Sequence, residues 1–383
     1  MSAVFTDETE KASTNIIYAW RAWNRPGLFH KALFEGEEYT VQQRNSRIFK
    51  SLLYVMLLVV MVYVVVFMPT PYMVNQPGSA EEIKPMIRVA GGDPEEKGTF
   101  MMTTVSVTYA NVAALIASQF NSQAQIVRKT PEQGGKEYET QQIYYMSDSQ
   151  SSAMAAAYHK AKVPFNIVSE YVFVVSLSKS NPPKGDFAPG DIIRKVEGQA
   201  LTRFEQLSGI LKTKKAGDRV SVELERDGKT LSQQAELIPL KDPATGGNRA
   251  GFGLNIGELR KVKSVDPKQQ VEFAHTQVGG PSAGLMFTLE IYNQLTPGDL
   301  SKGYRIAGTG TMSTDGTVGP IGGVQFKIVA ADREKAEIFF VPEDNYKDAK
   351  KKAEEIGTSM KLVPVKTVDD ALNYLSKLKA KAG

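Results

Sequence analysis

The feature that most constrains this chain is an uninterrupted apolar run from Leu52 to Met68. At about 1.5 Å of rise per residue, a helix of this length spans roughly 26 Å, close to the thickness of a bilayer core. The run is too long and too uniformly apolar for an ordinary core helix or strand, and the long leader before it argues against a cleaved signal peptide. The sequence therefore predicts a transmembrane anchor over residues 48–68.

The charges beside this run predict its orientation. Basic residues stand just before the run and the first acidic residues follow it: Arg44, Arg47, Lys50, Glu81 and Glu82. By the positive-inside rule, the N-terminus then stays in the cytoplasm and everything after Met68 lies outside. We expect a single-pass protein of the cell membrane, with residues 1–47 as a cytoplasmic tail.

Composition narrows the function classes. The formal net charge is only +4, and basic residues are interspersed with acidic ones, so we expect no nucleic-acid partner. The absence of cysteine excludes disulfides, thiolate zinc sites and a cysteine nucleophile. Only three histidines are present, His30, His159 and His275, which argues against a histidine-rich metal site. We expect neither a metal nor another cofactor.

Residues 69–165 are expected to form an extracellular α/β connecting region. The segment Thr99–Val107 predicts a strand, and the alanine cluster in Ser149–Lys162 favours a helix. Between them, Lys129–Glu139 is polar and contains glycine, which indicates a linker. Packing is the role expected of all three.

Residues 166–240 change to short apolar segments separated by turns, the pattern of a small β domain. Gly190-Asp-Ile-Ile193 is followed by Val196-Glu-Gly198, and then by an amphipathic helix over Arg203–Lys212. Two strands follow, joined by the hairpin turn Asp227-Gly228. In these features the segment resembles a PDZ domain.

The PDZ resemblance implies a groove between a strand and a helix that binds an extended peptide by β-augmentation. The peptide-binding strand is expected at Tyr171, Val172, Phe173 and Val174. The alternative is a β domain that serves only as a spacer.

Two motifs near the C-terminus carry chemistry. In Gly279-Gly-Pro-Ser-Ala-Gly284, a serine stands between a Gly-Pro turn and an apolar helix. Backbone N–H groups at such a helix start can stabilise an oxyanion. In Gly316–Ala331, a Pro-Ile-Gly-Gly turn opens a helix in which Lys327 has apolar neighbours. Apolar surroundings lower the pKa of a lysine, and a neutral amine beside a serine can accept its proton.

Together the two motifs resemble the proteolytic domain of the Lon family, and the resemblance covers residues 250–383. It implies an α+β fold with Ser282 as nucleophile and Lys327 as general base. Thr309, between the motifs, matches a threonine whose hydroxyl helps to orient the lysine. The N–H groups around Gly280–Ser282 are expected to hold the oxyanion.

The whole arrangement of anchor, PDZ unit and Lon-type domain is similar to the membrane-anchored PDZ–Lon peptidases of Gram-positive bacteria. The sequence contains no G-x-x-x-x-G-K-[ST] phosphate loop, so ATP-independent cleavage of unfolded peptides or protein tails is expected. Because Lon-type domains often assemble as rings, a homo-oligomer is an option.

Three alternatives stay open. Ser282 could pair with His275, seven residues earlier, although that histidine has no fixed acidic partner. The chain could be an extracellular PDZ scaffold with a decayed peptidase domain, against which the presence of both dyad residues argues. It could also be a membrane-tethered holdase, whose effect would survive Ser282→Ala.

Overall fold

The computed structural model describes residues 28–93, 97–130, 134–242, 246–274 and 278–381, with side chains from Ser46 onward. The fold is α+β and falls into two units. One unit comprises the chain up to Thr70 together with Ala110–Ile116, and the other comprises the rest.

The elements before the β domain are α1 (Leu28–Phe67), β1 (Pro69–Glu82), β2 (Ile87–Val89), β3 (Thr99–Asn111), α2 (Val112–Ser118), β4 (Gln125–Arg128) and α3 (Gly135–Ala161). Within the first unit, the Ser46–Phe67 part of α1 is apolar, and none of its most apolar stretch is buried in the protein. Among the described residues, it is the one helix long and apolar enough to be a candidate membrane span. The side-chain amide of Asn111 donates to the carbonyl of Val66 at its end.

The elements of the β domain are β5 (Phe165–Leu177), β6 (Ile192–Val196), β7 (Gln199–Ala200), α4 (Phe204–Lys212), β8 (Arg219–Arg226), β9 (Lys229–Glu236), β10 (Ile238–Lys241), β11 (Asn248–Gly251) and β12 (Leu254–Ser264). Its main sheet has the order β12-β5-β6-β8-β9, with β7 paired to β6. The hairpin between β8 and β9 turns at Asp227 and Gly228, both at positive φ as a type I′ turn requires.

The elements after the β domain are β13 (Val271–Phe273), α5 (Gly284–Leu295), β14 (Arg305–Gly308), β15 (Thr311–Met312), β16 (Val318–Gly319), α6 (Val324–Arg333), β17 (Ile338–Pro342), α7 (Glu343–Ile356), β18 (Lys361–Val365) and α8 (Val368–Lys377). All five residues of β17 are buried. A strand buried on both faces is expected inside a parallel sheet, where helices cover each side.

A six-stranded sheet in the order β18-β17-β14-β3-β1-β4 joins both ends of the second unit. Strands β3, β14, β17 and β18 run parallel, with Thr99 opposite Arg305, and β4 is antiparallel to β1. The region expected to be a connector therefore supplies three strands to the sheet that holds the C-terminal strands.

The core around this sheet is built on α3 and α5. Helix α5 is apolar on nearly every side, and most of its residues are buried, as expected for a helix enclosed by other elements. Helix α3 presents Ala153, Ala155, Ala156 and Ala157 to the same core. Small side chains let the two helices approach closely, and this approach brings α3 to the loop that precedes α5.

Candidate active site

Ser282 lies in the loop between β13 and α5, two residues before the helix begins. Gly280 in this loop is buried and has φ +89°, a left-handed conformation that favours glycine. A Cβ added there would also lie 3.1 Å from Oε1 of Gln142 on α3. The loop is therefore shaped by its own glycine and by a close neighbour from α3.

Lys327 lies on the first turn of α6 and its side chain points into the core, where only 3% of the residue is exposed. Its Nζ lies 3.0 Å from Ser282 Oγ and 2.5 Å from the carbonyl oxygen of Thr103 on β3. Burial lowers the pKa of Lys327 from 10.5 to about 8. A substantial fraction of the amine is therefore neutral in mildly alkaline solution.

This geometry suits proton transfer. A neutral amine can donate one hydrogen bond to the Thr103 carbonyl while its lone pair accepts from the Ser282 hydroxyl. The Oγ–Nζ distance lies within the range expected of a nucleophile and its general base. The fold thus brings together the two residues that the sequence singled out, and it adds Thr103, a backbone acceptor that no sequence pattern signals.

Thr309 is fully buried, but its hydroxyl has a different partner from the one that the resemblance implied. Thr309 Oγ1 donates to the backbone carbonyl of Ser282 at 3.0 Å, and the N–H of Gly310 donates to the same oxygen at 2.8 Å. Thr309 therefore fixes the backbone of Ser282, whereas the second contact of the Lys327 amine is the Thr103 carbonyl.

Fewer N–H groups are available to an oxyanion than we expected for residues 280–282. The N–H of Gly280 donates to the carbonyl of Gln142 at 3.1 Å, and Pro281 has no N–H. Within the described part of the chain, the N–H of Ser282 has no hydrogen-bond partner. It lies at the start of α5, where the helix dipole favours negative charge, and is a donor available to an oxyanion.

The alternative base, His275, lies outside the described residues. Across the described ranges, no group of three or more histidine and acidic side chains could hold a metal ion.

The expected peptide-binding strand of the PDZ domain is wrong. Val172 pairs with Glu258 of β12 on one side and with Ile193 of β6 on the other, and Phe173 is likewise paired on both sides. Because both edges of β5 at Val172 and Phe173, in the middle of the expected strand, are occupied by the sheet, a peptide cannot add a strand there.

An edge is available instead on β12, one of the two outermost strands of the sheet. A groove runs between β12 and α4, and its lining includes Leu207, Ser208, Leu211, Leu254 and Ile256. In the sequence, this groove is indicated by the glycine-containing segment that leads into β12, Gly251-Phe-Gly-Leu254. Gly253 has φ +75°, and a Cβ there would lie 2.2 Å from the carbonyl oxygen of Asn181, so this tight entry to β12 requires glycine.

Comparisons with known proteins agree with both the peptidase domain and the PDZ domain. The family model of the Lon protease (S16) C-terminal proteolytic domain matches residues 272–377, and that of the PDZ domain matches residues 151–237. The Lon protease of Metamycoplasma arthritidis is 36% identical over 105 residues, which are 27% of this chain and 12% of that protein. The Lon protease of Elusimicrobium minutum is 40% identical over 91 residues, which are 24% of this chain and 11% of that protein.

Among solved structures, the PDZ domain of an SdrC-like protein from Listeria innocua is 23% identical and covers 23% of this chain and 93% of its own, with a TM-score of 0.20. The matched segments span 12% and 11% of the two Lon proteases named above. The chain therefore carries a PDZ domain and a Lon-type serine peptidase domain, preceded by one candidate membrane helix.

Proposed function

We propose that this protein is a membrane-anchored serine endopeptidase in which Ser282 is the nucleophile and Lys327 the general base. The observation that carries the proposal is the 3.0 Å contact between the buried Lys327 amine and the Ser282 hydroxyl. Thr309 and Gly310 support this contact because both donate a hydrogen bond to the carbonyl of Ser282 and so hold its backbone in place.

In the first step, Ser282 Oγ attacks the scissile carbonyl while Lys327 accepts the hydroxyl proton. The N–H of Ser282 donates to the oxyanion that develops. Lys327 then gives the proton to the leaving amine, and an acyl-enzyme remains. Water attacks the ester with Lys327 again as base, which releases the acid and restores the serine.

Cleavage needs no ATP in this proposal. The dyad contact and its Thr103 support are already formed in the chain alone, so no nucleotide-driven rearrangement is required to assemble them. The substrates are then peptides or protein tails that are already unfolded.

The apolar part of α1 anchors the enzyme in the cell membrane, with the N-terminus in the cytoplasm and the peptidase outside. The basic residues before the span and the acidic residues after it support this orientation. The groove beside β12 selects substrates, because an extended segment can pair with the free edge of β12 and place alternate side chains against α4.

The test is cleavage of a mixture of unstructured peptides by the full-length chain in detergent micelles, without ATP. Ser282→Ala and Lys327→Ala should each abolish cleavage, whereas Lys347→Ala, which removes an exposed lysine, should not. A wild-type chain that cuts nothing, with or without ATP, would contradict the proposal and favour a peptide-binding scaffold. Cleavage that appears only with ATP would contradict ATP independence alone.

A further inference from the structure

The peptide unit that joins Pro281 to Ser282 carries both the carbonyl of Pro281 and the N–H of Ser282. The hydroxyl of Ser149 on α3 donates to that carbonyl at 3.0 Å. Ser149 precedes the Lon-type match at residues 272–377, and sequence patterns gave it no role beyond packing.

The Ser149 side chain sits in a confined place. Only 3% of the residue is exposed, and it lies where α3 packs on the first turn of α5. A Cβ added at Gly284 would come within 3.0 Å of Ser149 Oγ. The hydroxyl therefore has little freedom to choose another partner.

A bond to the Pro281 oxygen has a consequence on the other side of the peptide unit. Because the peptide unit is planar, fixing the direction of its carbonyl also fixes the direction of its N–H. That N–H belongs to Ser282 and is without a partner among the described residues. Hydrogen bonds in a chain also polarise one another, so a bonded carbonyl makes the N–H a better donor.

We propose that Ser149 is a positioning residue of the peptidase: by holding the Pro281 carbonyl, it aims the Ser282 N–H at the oxyanion. The inference rests on the proposed function and adds a residue from α3 to it. In this proposal Ser149 acts through the Pro281 carbonyl, and among the described residues its hydroxyl makes no hydrogen bond to the side chain of Ser282 or Lys327.

The chain offers a matched control on the same helix. Ser152 is three residues further along α3 and is 6% exposed, and its hydroxyl makes no hydrogen bond to residues 278–283, the described part of the loop before α5. Replacement of either serine by alanine removes one buried hydroxyl from α3, but only Ser149→Ala removes the contact with Pro281.

The experiment measures kcat and KM of the full-length chain in micelles on a short fluorogenic peptide, and its inhibition by a peptide boronic acid. The boronate forms a tetrahedral adduct with Ser282 Oγ, so one of its hydroxyls occupies the oxyanion position. Ser149→Ala should lower kcat by about 10- to 100-fold and weaken boronate inhibition by a similar factor, with little change in KM. Ser152→Ala should change neither.

Ser149→Cys separates the hydrogen bond from simple loss of volume, because it fills the site with a weaker donor. Ser149→Cys should give a kcat between the values of the wild type and Ser149→Ala. If Ser149→Ala does not fold, the kcat of Ser149→Cys tests the proposal in its place. A kcat and boronate inhibition within about twofold of the Ser152→Ala values would overturn the role of Ser149 and leave the proposed function intact. A wild-type chain that neither cuts nor binds the boronate would instead overturn the proposed function, and this inference with it.

Discussion

At the scale of single residues, Lys327 is the group whose environment matters most. Burial lowers its pKa, and no carboxylate in the described ranges contributes to the shift. An acidic neighbour would stabilise the ammonium and raise the pKa, which would weaken the lysine as a base near neutral pH. The apolar packing of α6 therefore keeps the amine usable as a proton acceptor.

The lowered pKa predicts the pH dependence of catalysis. Since only the neutral amine can accept the Ser282 proton, kcat/KM should rise with pH, reach half its maximum near pH 8 and level off above it. Lys327→Arg should lose the activity and the rise together, because arginine stays protonated throughout this range. Initial rates measured between about pH 6 and 10 check the prediction.

A wild-type profile that stays flat across this range would contradict Lys327 as the general base. A rise centred near pH 6.5 would point instead to a histidine.

At the scale of elements, the sequence predicted the hairpin at Asp227-Gly228, the strand that begins at Thr99, the helix that follows Ser282 and the helix that contains Lys327. Each depends on a local signal, either turn chemistry or an apolar run beside a glycine turn. The polar segment expected as a linker is partly helical, since α3 begins at Gly135. Tertiary packing of the rest of α3 extends the helix beyond what local propensity indicates.

The candidate site could also be predicted only in part, because local sequence signals do not reveal tertiary packing. Ser282 and Lys327 stand out because one is the only serine, and the other the only lysine, of a glycine-rich motif. The contacts of Thr103, Gln142 and Ser149 involve backbone groups and side chains far from those motifs in the chain, and depend on how β3 and α3 pack. The strand at Tyr171–Val174 was misplaced because an apolar strand looks alike at the edge and in the middle of a sheet.

The groove beside β12 gives a prediction for substrate selection. Ser208 lines the groove from α4, and Ser208→Trp should fill it and raise KM for substrates with long unstructured tails. The short fluorogenic peptide should be cut at an unchanged rate, because it needs only the active site. Steady-state kinetics on both substrates test this.

Glu205→Trp is the matched control, since it adds the same ring to an exposed position of α4 that does not line the groove. Tyr171→Ala should also leave KM unchanged. An effect of Tyr171→Ala larger than that of Ser208→Trp would argue against the β12 groove.

At the scale of the whole molecule, the burial of Lys327 lowers the stability of the folded protein. The pKa of Lys327 in the folded protein, about 8, lies below the 10.5 of an exposed lysine. Below pH 8 the folded state therefore holds a buried charge that destabilises it. As pH rises from 8 to 10.5, the unfolded chain binds more protons than the folded chain, so stability increases.

Replacing Lys327 by methionine should remove this destabilisation. The pKa shift corresponds to about 3 kcal/mol at most, and loss of the contacts with Thr103 and Ser282 offsets part of it. Lys327→Met should thus unfold at a higher temperature than the wild type at pH 7 while being inactive, and the difference should shrink toward pH 10. Thermal unfolding of both proteins in micelles at the two pH values tests this, and a less stable Lys327→Met at pH 7 would contradict it.

The central sheet pairs strands from both ends of the second unit, with the β domain between them in the chain. The hydroxyl of Thr103 on β3 bonds to the carbonyl of Gly308 on β14, 205 residues later. At ribosomal rates of about 5 to 20 residues per second, β3 waits roughly 10 to 40 s before its neighbour is synthesised. Lys327 is synthesised after both Thr103 and Ser282, so throughout this interval the proposed dyad lacks its base. The proposed peptidase therefore cannot become active until the chain has been synthesised beyond α6 and this helix has packed against β3.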